Sequence, residues 1–487
     1  MKKVLFPLAC LSLLSYVTQA VADDTATIAE HIRHVENGLL PPAVIKGRPV
    51  QPMRLSDRME ALKVPGISIA LINQGKIEWA RGYGYADLAS KRPVTVETRF
   101  QAASISKPVT AMAALALVER GTLSLDGDVN QQLVSWKLPA NAYTAQQAVT
   151  LRGLLSHTAG VNVHGFQGYA YNQDVPTLLQ ILNGKKPANS AAVRVTALPG
   201  SAWSYSGGGY SIVQQLMTDI TQESFPALMK KIVLDKLGMA HSSFELPAQW
   251  QAMAASAYLA DGKPVSGNWH RYPELAAAGL WTTPSDLARF AIEIQQSSAG
   301  TSNKVLSQEM TRQMLTRSKL SNYGLGLFVG AVKDEHESFG HTGGNMGIRT
   351  MMTAFNSTGQ GATLMTNSDN GAELIQEVLR AISVEYGWTD YRVIEKVAVA
   401  GDAGEYKKFA GAYVVAGFPV VITADGDRLH IKADPLGAFQ QELFPDVNGN
   451  YFMLNNDVTV HFEKDTSGIV TGMTVHGEKK SSGKKIK

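Results

Sequence analysis

An α+β fold is predicted for residues 23–395: an antiparallel β-sheet flanked by helices, followed by a small all-β C-terminal domain. Three observations predict it. β-rich runs lie near both ends of residues 64–395 with helical segments between them, the pattern of one antiparallel sheet closed by the two termini. An Ala-, Met- and Leu-rich stretch from Ser106 to Arg120 stops at Gly121 and reads as a buried helix. From Phe409 onward, short strands alternate with polar turns.

The composition suits such a fold. Of 487 residues, 45% are hydrophobic and 18% charged, which supports a large core and excludes a wholly disordered or collagen-like chain. The single cysteine, Cys10, excludes a disulfide framework and a cysteine-rich zinc site. The net charge of +3 is too small to argue for nucleic acid, and it is local. Lys2 and Lys3 open the chain, and five lysines against one glutamate fill Gly477 to Lys487, so the body between is slightly acidic.

Residues 1–22 read as a signal peptide. Lys2 and Lys3 precede an apolar stretch from Val4 to Val17, and Ala20-Val21-Ala22 supplies a small-x-small cleavage site before Asp23. The stretch is short for a bilayer span of about 20 residues and carries Pro7, Ser12 and Ser15. No later apolar run is long enough to cross a membrane, so an exported, periplasmic or secreted protein without stable membrane insertion is expected. Loss of Cys10 with the peptide leaves no thiol nucleophile. Residues 23 to about 60 form a helical lead-in, with Ile28, Ile32 and Val35 at near-helical spacing.

Ile67–Asn73 and Lys76–Tyr83 read as strands of a hairpin turning at Gln74-Gly75. Thr350–Phe355 and Ala362–Thr366 read as further strands. Helices are expected near Ile212–Thr221, Ser285–Gln296 and Ala372–Tyr386. Gly401–Gly404 reads as a linker. Beyond it, Pro419–Thr423, Leu429–Ala433, Val458–Phe462 and Ile469–Val475 read as strands of a barrel or sandwich over 405–476. Residues 477–487 read as a basic disordered tail.

Three segments carry chemistry. In Ser104-Ile105-Ser106-Lys107, residues i and i+3 share a helical face, so Lys107 can reach the Ser104 hydroxyl. Pro108 fits best near a helix start. There, free N–H groups and the helix dipole favour an oxyanion. The spacing alone is weak, since Ser481/Lys484 and Ser482/Lys485 share it. The second segment, Trp203-Ser204-Tyr205-Ser206-Gly207-Gly208-Gly209-Tyr210, holds a tyrosine that can face a cleft because glycines leave room around it. The third is Gly340-His341-Thr342-Gly343-Gly344-Asn345, whose small residues allow close backbone approach to a ligand.

In this order the three segments resemble serine hydrolases of the penicillin-binding-protein and class C β-lactamase superfamily, which includes D,D-carboxypeptidases, D-aminopeptidases and family VIII esterases. Further segments add to the likeness: Val64-Pro65-Gly66-Ile67-Ser68, Leu154-Leu155-Ser156-His157-Thr158-Ala159-Gly160 and Thr283-Pro284-Ser285-Asp286-Leu287. The resemblance covers about residues 50 to 390. It implies the β-lactamase/transpeptidase-like fold with an all-helical subdomain, and the C-terminal part is similar to a lipocalin-like β domain.

By the resemblance, Ser104 forms an acyl-enzyme, and Lys107 and Tyr205 move the proton. The N–H groups of Ser104 and Gly344 form the oxyanion hole. Thr342, Gly343 and Gly207 line the substrate surface, and His341 holds the place of the family's third-motif lysine. Two departures argue against efficient β-lactamase activity: Tyr205 is followed by Gly207 where an asparagine is common, and His341 replaces lysine.

The expected function is an exported serine acyl hydrolase acting on D-alanyl or similar peptide amides. The alternatives are a short-chain carboxylesterase, a weak β-lactamase or, from another class, a non-catalytic cell-wall or penicillin-binding protein. The expected partner is a small-molecule or peptide substrate, amide or ester, with peptidoglycan a candidate and no nucleic acid. No cofactor is expected. A metal site has little support, because His-x-His, His-Glu-x-x-His and Cys-x-x-Cys do not occur. Gly324-Leu325-Gly326 misses the dinucleotide spacing. His157 and His164 are read as structural, and Glu274 and Asp286 as surface or capping groups.

Overall fold

The computed structural model describes residues 26–330, 337–433, 440–455, 458–477 and 480–486. The expected signal peptide lies outside the described residues. The chain divides into two units: Ser56–Ile375, and Met1–Leu55 together with Gln376–Lys487.

The first unit is built on a seven-stranded sheet. Its strands are β1 (Gly66–Asn73), β2 (Lys76–Asp87), β3 (Arg92–Pro93), β4 (Phe328–Val329), β5 (Ser338–Asn345), β6 (Ile348–Phe355) and β7 (Gly361–Thr366), in the spatial order β3-β2-β1-β7-β6-β5-β4. The β1–β2 hairpin turns at Gln74-Gly75 as the sequence predicts, and Ile67 pairs with Thr366 across the β1–β7 junction. Early strands therefore sit beside late ones, which closes the sheet through both ends of the unit. All residues of β1 but Asn73 are buried, as suits a central strand.

Helix α1 (Ser106–Glu119) is buried through Leu117 and apolar on every side. It ends where Gly121 takes a left-handed φ of +71°. Between Gln101 and Trp281 the only regular elements are helical, among them α2 (Gly207–Thr221) and the single turn α3 (Leu275–Ala278). Helix α4 (Pro284–Ser298) starts at a Thr283 cap with proline at its first position and packs against the sheet.

In the second unit, residues 26–37 are helical, with Val35 buried, but the expected helical lead-in does not run on unbroken to residue 60: Ala43–Ile45 is instead a strand paired with Ile394–Lys396. The C-terminal part is a closed barrel of eight antiparallel strands running from Gly411–Val415 to Lys480–Lys485. Tyr413, Tyr451, Phe462 and Met473 help fill its interior with side chains. Two more expectations need correction. Residues 401–404 are not merely a linker, because Asp402 caps a helix over Ala403–Phe409. The basic tail at 477–487 is not left free, because Lys480–Lys485 pairs with both Gly411–Val415 and Val470–His476 and closes the barrel. The strand forms without an apolar stripe. Its backbone groups satisfy two neighbouring edges, and Gly483 lets Val414 approach closely; a Cβ there would lie 2.2 Å from the Val414 carbonyl oxygen.

Candidate active site

The three chemistry-bearing segments come together in the Ser56–Ile375 unit. Ser104 lies in a single 3₁₀ turn, Ala103–Ile105, that feeds α1, so the α-helix begins two residues after Ser104. From Thr98 to Leu117, Ser104 is the one residue that is not buried. A hydroxyl at the surface of an otherwise buried segment is well placed to meet a substrate.

The Lys107 Nζ lies 3.0 Å from Ser104 Oγ and donates to the Ala277 carbonyl at 2.9 Å. It is 2% exposed. Among the described residues no carboxylate forms an ion pair with it; its neighbours include the rings of Tyr205 and Tyr210, centred 4.9 and 5.7 Å away. Burial without a counter-charge lowers the Lys107 pKa to about 7. A neutral amine is thus accessible near pH 7, as a base requires.

The acceptor of Lys107 is itself held. The Gln214 side chain takes the Ala276 N–H at 3.0 Å and donates to the Pro273 carbonyl at 3.3 Å. The Ser106 hydroxyl accepts the Leu280 N–H at 2.9 Å, and Asn345 Nδ2 donates to the Ala278 carbonyl at 3.3 Å. Sequence reasoning missed Ala277, because a backbone acceptor leaves no residue signature.

Tyr205 precedes the Ser206 cap of α2, and its phenol lies close enough to the Ser104 hydroxyl for that group to oppose the rise in its pKa. Burial pushes its pKa well above the usual phenol value, so Tyr205 rests as a neutral phenol. The reason for the glycines differs from the expected one. Gly207–Gly209 form the first turn of α2, packed against the 162–166 loop. A Cβ on Gly207 would lie 2.9 Å from the Phe166 ring, and one on Gly208 would lie 2.9 Å from the Asn162 carbonyl oxygen. Phe166 thus occupies space that a longer residue at 207 would need.

His341 is 2% exposed on β5, and both ring nitrogens are engaged. Nδ1–H donates to the Thr342 carbonyl at 2.6 Å, which leaves Nε2 to accept from the Tyr323 hydroxyl at 3.1 Å. Burial and the nearby Lys107 lower its pKa to about 3. His341 is therefore held neutral and supplies no fixed positive charge to the site.

β4 covers β5 only at Phe339 and Gly340, so the edge from His341 onward is free of a strand partner there and packs against the Ala103–Ile105 turn. Thr342 and Gly344 are exposed, whereas Gly343 is buried. A Cβ on Gly343 would lie 2.2 Å from Thr350 Oγ1 and 2.3 Å from the Ala102 carbonyl oxygen. Glycine at 343 is what lets β5 approach the Ala103–Ile105 turn.

Aromatic rings wall the site. Those of His157, Trp203, Tyr323 and His341 lie within 4.3 to 6.3 Å of one another or of Tyr205. Tyr323 immediately precedes the Gly324-Leu325-Gly326 stretch that fails as a dinucleotide motif; a Cβ on Gly326 would lie 2.6 Å from the Ala111 Cβ, so this stretch packs on α1. Three non-glycine residues here have left-handed backbones: Ala103 (φ +50°), His157 (+60°) and Val163 (+62°). Each such residue costs about 1–3 kcal/mol, and such strain concentrates at functional sites.

Glu274 and Asp286 are buried, not surface groups. Glu274 is the N-cap residue of α3, and its desolvated carboxyl is raised to about 8. Asp286 binds the His241 N–H and the Ser242 hydroxyl. Among the described residues no group of three His, Cys, Asp or Glu side chains could hold a metal ion.

Residues 54–384 match the Beta-lactamase family model, and 395–487 match a domain of unknown function, DUF3471. Penicillin-binding protein 4* of Bacillus subtilis (strain 168) is 24% identical over 434 residues, 80% of this chain and 88% of that protein. The octameric penicillin-binding protein homologue from Pyrococcus abyssi superposes with a TM-score of 0.61 at 22% identity, covering 88% of this chain and 98% of that one. The D-amino acid amidase from Ochrobactrum anthropi SV3 superposes with a TM-score of 0.54 at 24% identity, covering 68% and 98%. At these identities the structural likeness establishes the fold alone.

Proposed function

The chain belongs to the Beta-lactamase family of serine hydrolases, and from that premise we propose an exported acyl hydrolase that forms an acyl-enzyme on Ser104 and cleaves D-alanyl or other D-amino-acid amides. One observation carries the reading: the Ser104 hydroxyl lies 3.0 Å from the Nζ of Lys107, whose burial brings its pKa to about 7. Peptidoglycan is the candidate macromolecular source of such amides.

In this reading, neutral Lys107 takes the Ser104 proton as Oγ attacks the carbonyl carbon, and the Tyr205 phenol beside Ser104 orients the hydroxyl for that transfer. The N–H groups of Ser104 and Gly344 stabilise the resulting oxyanion. Collapse breaks the bond to the leaving nitrogen, which receives its proton by way of the Tyr205 phenol. Water then enters, the same groups carry its proton, and Ser104 is freed. Tyr205 acts as a neutral relay, in keeping with its raised pKa.

The substrate class rests on the surroundings. Neutral His341 offers no fixed cation for a β-lactam carboxylate, and Gly207 offers no side-chain amide. The named relatives include an amidase of D-amino acids and penicillin-binding proteins. Phe166 beside Gly207 favours a second reading, a short-chain carboxylesterase, because an apolar ring fills the place of a polar contact.

A substrate panel separates the two. The full chain is expected to release D-alanine or D-amino-acid product from short peptide amides at higher kcat/KM than it cleaves p-nitrophenyl butyrate, with slow nitrocefin turnover. Ester cleavage without any D-amide release would favour the second reading. Rapid nitrocefin turnover would refute the argument from Gly207 and His341.

A further inference from the structure

His157, which the sequence offers as a structural histidine, holds both residues that flank Tyr205. Its backbone carbonyl accepts the Ser204 N–H at 2.9 Å, and its ring Nδ1 accepts the Ser206 N–H at 3.1 Å. The same ring packs on the Tyr205 ring with centroids 4.3 Å apart. Three contacts from one side chain and its own backbone thus fix the tripeptide that carries the phenol.

A further feature, its backbone, sets this buried residue apart from an ordinary core histidine. It is 2% exposed and has a left-handed backbone, with φ at +60°, which turns its carbonyl and its ring toward the same stretch of chain. Histidine, asparagine and aspartate tolerate that conformation better than most residues. On the other side of Tyr205 the Ser206 hydroxyl accepts the Gly209 N–H at 2.9 Å and donates to the Asn162 carbonyl at 2.6 Å, so the helix cap is locked as well.

We propose that His157 is a positioning residue for the hydrolase reaction: by accepting the Ser206 N–H and packing its tilted ring against Tyr205, it sets the phenol against Ser104. The proposal rests on the reading of Tyr205 as the proton relay. His157 touches neither substrate nor the reacting atoms, and acts through Tyr205. With Nδ1 accepting a hydrogen bond, the ring proton sits on Nε2, so the neutral tautomer with that pattern is the working form.

The test is the rate at which a fluorophosphonate probe labels the full chain, followed for four variants with melting temperatures measured alongside. His157→Ala removes the ring and its acceptor. His157→Asn keeps an acceptor near the Nδ1 position and tolerates the left-handed backbone. His157→Ala is expected to slow labelling about 100-fold, a positioning loss of the size expected from an ångström of misplacement. His157→Asn should regain at least about tenfold of that loss.

Tyr205→Phe is expected to be slow by itself, and adding His157→Ala to it should slow labelling by less than about threefold, because the two act through one group. The proposal is overturned if His157→Ala and Tyr205→Phe multiply in full, or if His157→Asn is as slow as His157→Ala at equal stability. Should His157→Ala fail to fold, His157→Gln takes its place. It presents its amide near the Nε2 position, so the proposal requires Asn fast and Gln slow, and equal rates overturn it. A wild-type rate in Tyr205→Phe combined with a slow His157→Ala would show His157 acting elsewhere and would remove Tyr205 from the relay. Loss of labelling in Tyr205→Phe with a wild-type rate in His157→Ala would overturn only the positioning role.

Discussion

Lys107→Met is expected to lower kcat/KM by about a thousandfold or more, the upper part of the range for loss of a general base, and to raise the melting temperature in the same protein. The two effects share one cause. Lys107 is buried without a carboxylate partner among the described residues, so the fold holds its amine at a pKa of about 7 against 10.5 in the unfolded chain. Below about pH 7 both states bind the proton, and the folded state bears the full cost of a buried charge. Between about pH 7 and 10.5 the unfolded chain binds more protons, so wild-type stability rises with pH. The advantage of the methionine variant is therefore largest at or below pH 7 and shrinks toward pH 10.5. Each tenfold loss of proton affinity on folding costs about 1.4 kcal/mol, which makes the gain of order several kcal/mol. Thermal melts at pH 6 and pH 10 read it directly. Acylation of the wild type should rise with pH through about 7 as the amine loses its proton. A methionine variant that melts lower at pH 6, or that keeps wild-type turnover, would contradict the account.

Gly343→Ala is expected to cost about 100- to 1000-fold in kcat/KM, comparable with loss of an oxyanion donor. The added Cβ would meet the Ala102 carbonyl oxygen at 2.3 Å and Thr350 Oγ1 at 2.2 Å. Thr350 Oγ1 already donates to that carbonyl at 3.1 Å, so the two obstacles are tied together and neither can simply rotate away. Relief requires β5 and the Ala103–Ile105 turn to separate. That movement parts the N–H groups of Gly344 and Ser104, which are proposed to act as a pair. The rate loss should appear mainly in kcat, with folded protein still recovered. Retention of full kcat in a folded Gly343→Ala variant would show that the close approach of β5 has no catalytic role.

Much of the fold was legible because its signals are local. The β1–β2 hairpin follows from two β-rich runs around Gln74-Gly75, and α1 from an Ala-rich run ended by Gly121. Ser104 and Lys107 were legible for the same reason, since i and i+3 spacing already fixes their proximity. What stayed hidden depends on distant backbone groups. The Ala277 carbonyl that holds Lys107 belongs to a residue with no polar side chain. The strand Lys480–Lys485 carries serine and lysine where an apolar alternation would have flagged it, and it exists because two barrel edges need closing. The role of Phe166 was hidden because a missing asparagine at 207 reads as a loss, whereas the structure puts a ring in its space. His157 had the signature of a core histidine, and what distinguishes it are its bonds to Ser204 and Ser206, its contact with the Tyr205 ring and its left-handed backbone.

The most direct test of the central claim is covalent: intact-mass and peptide mapping after incubating the full chain with a fluorophosphonate. The account predicts one adduct per chain on the peptide containing Ser104, formed faster as pH rises through about 7, and no adduct in Ser104→Ala. An adduct of the same yield in Ser104→Ala, or one mapped to a different serine in the wild type, would contradict it.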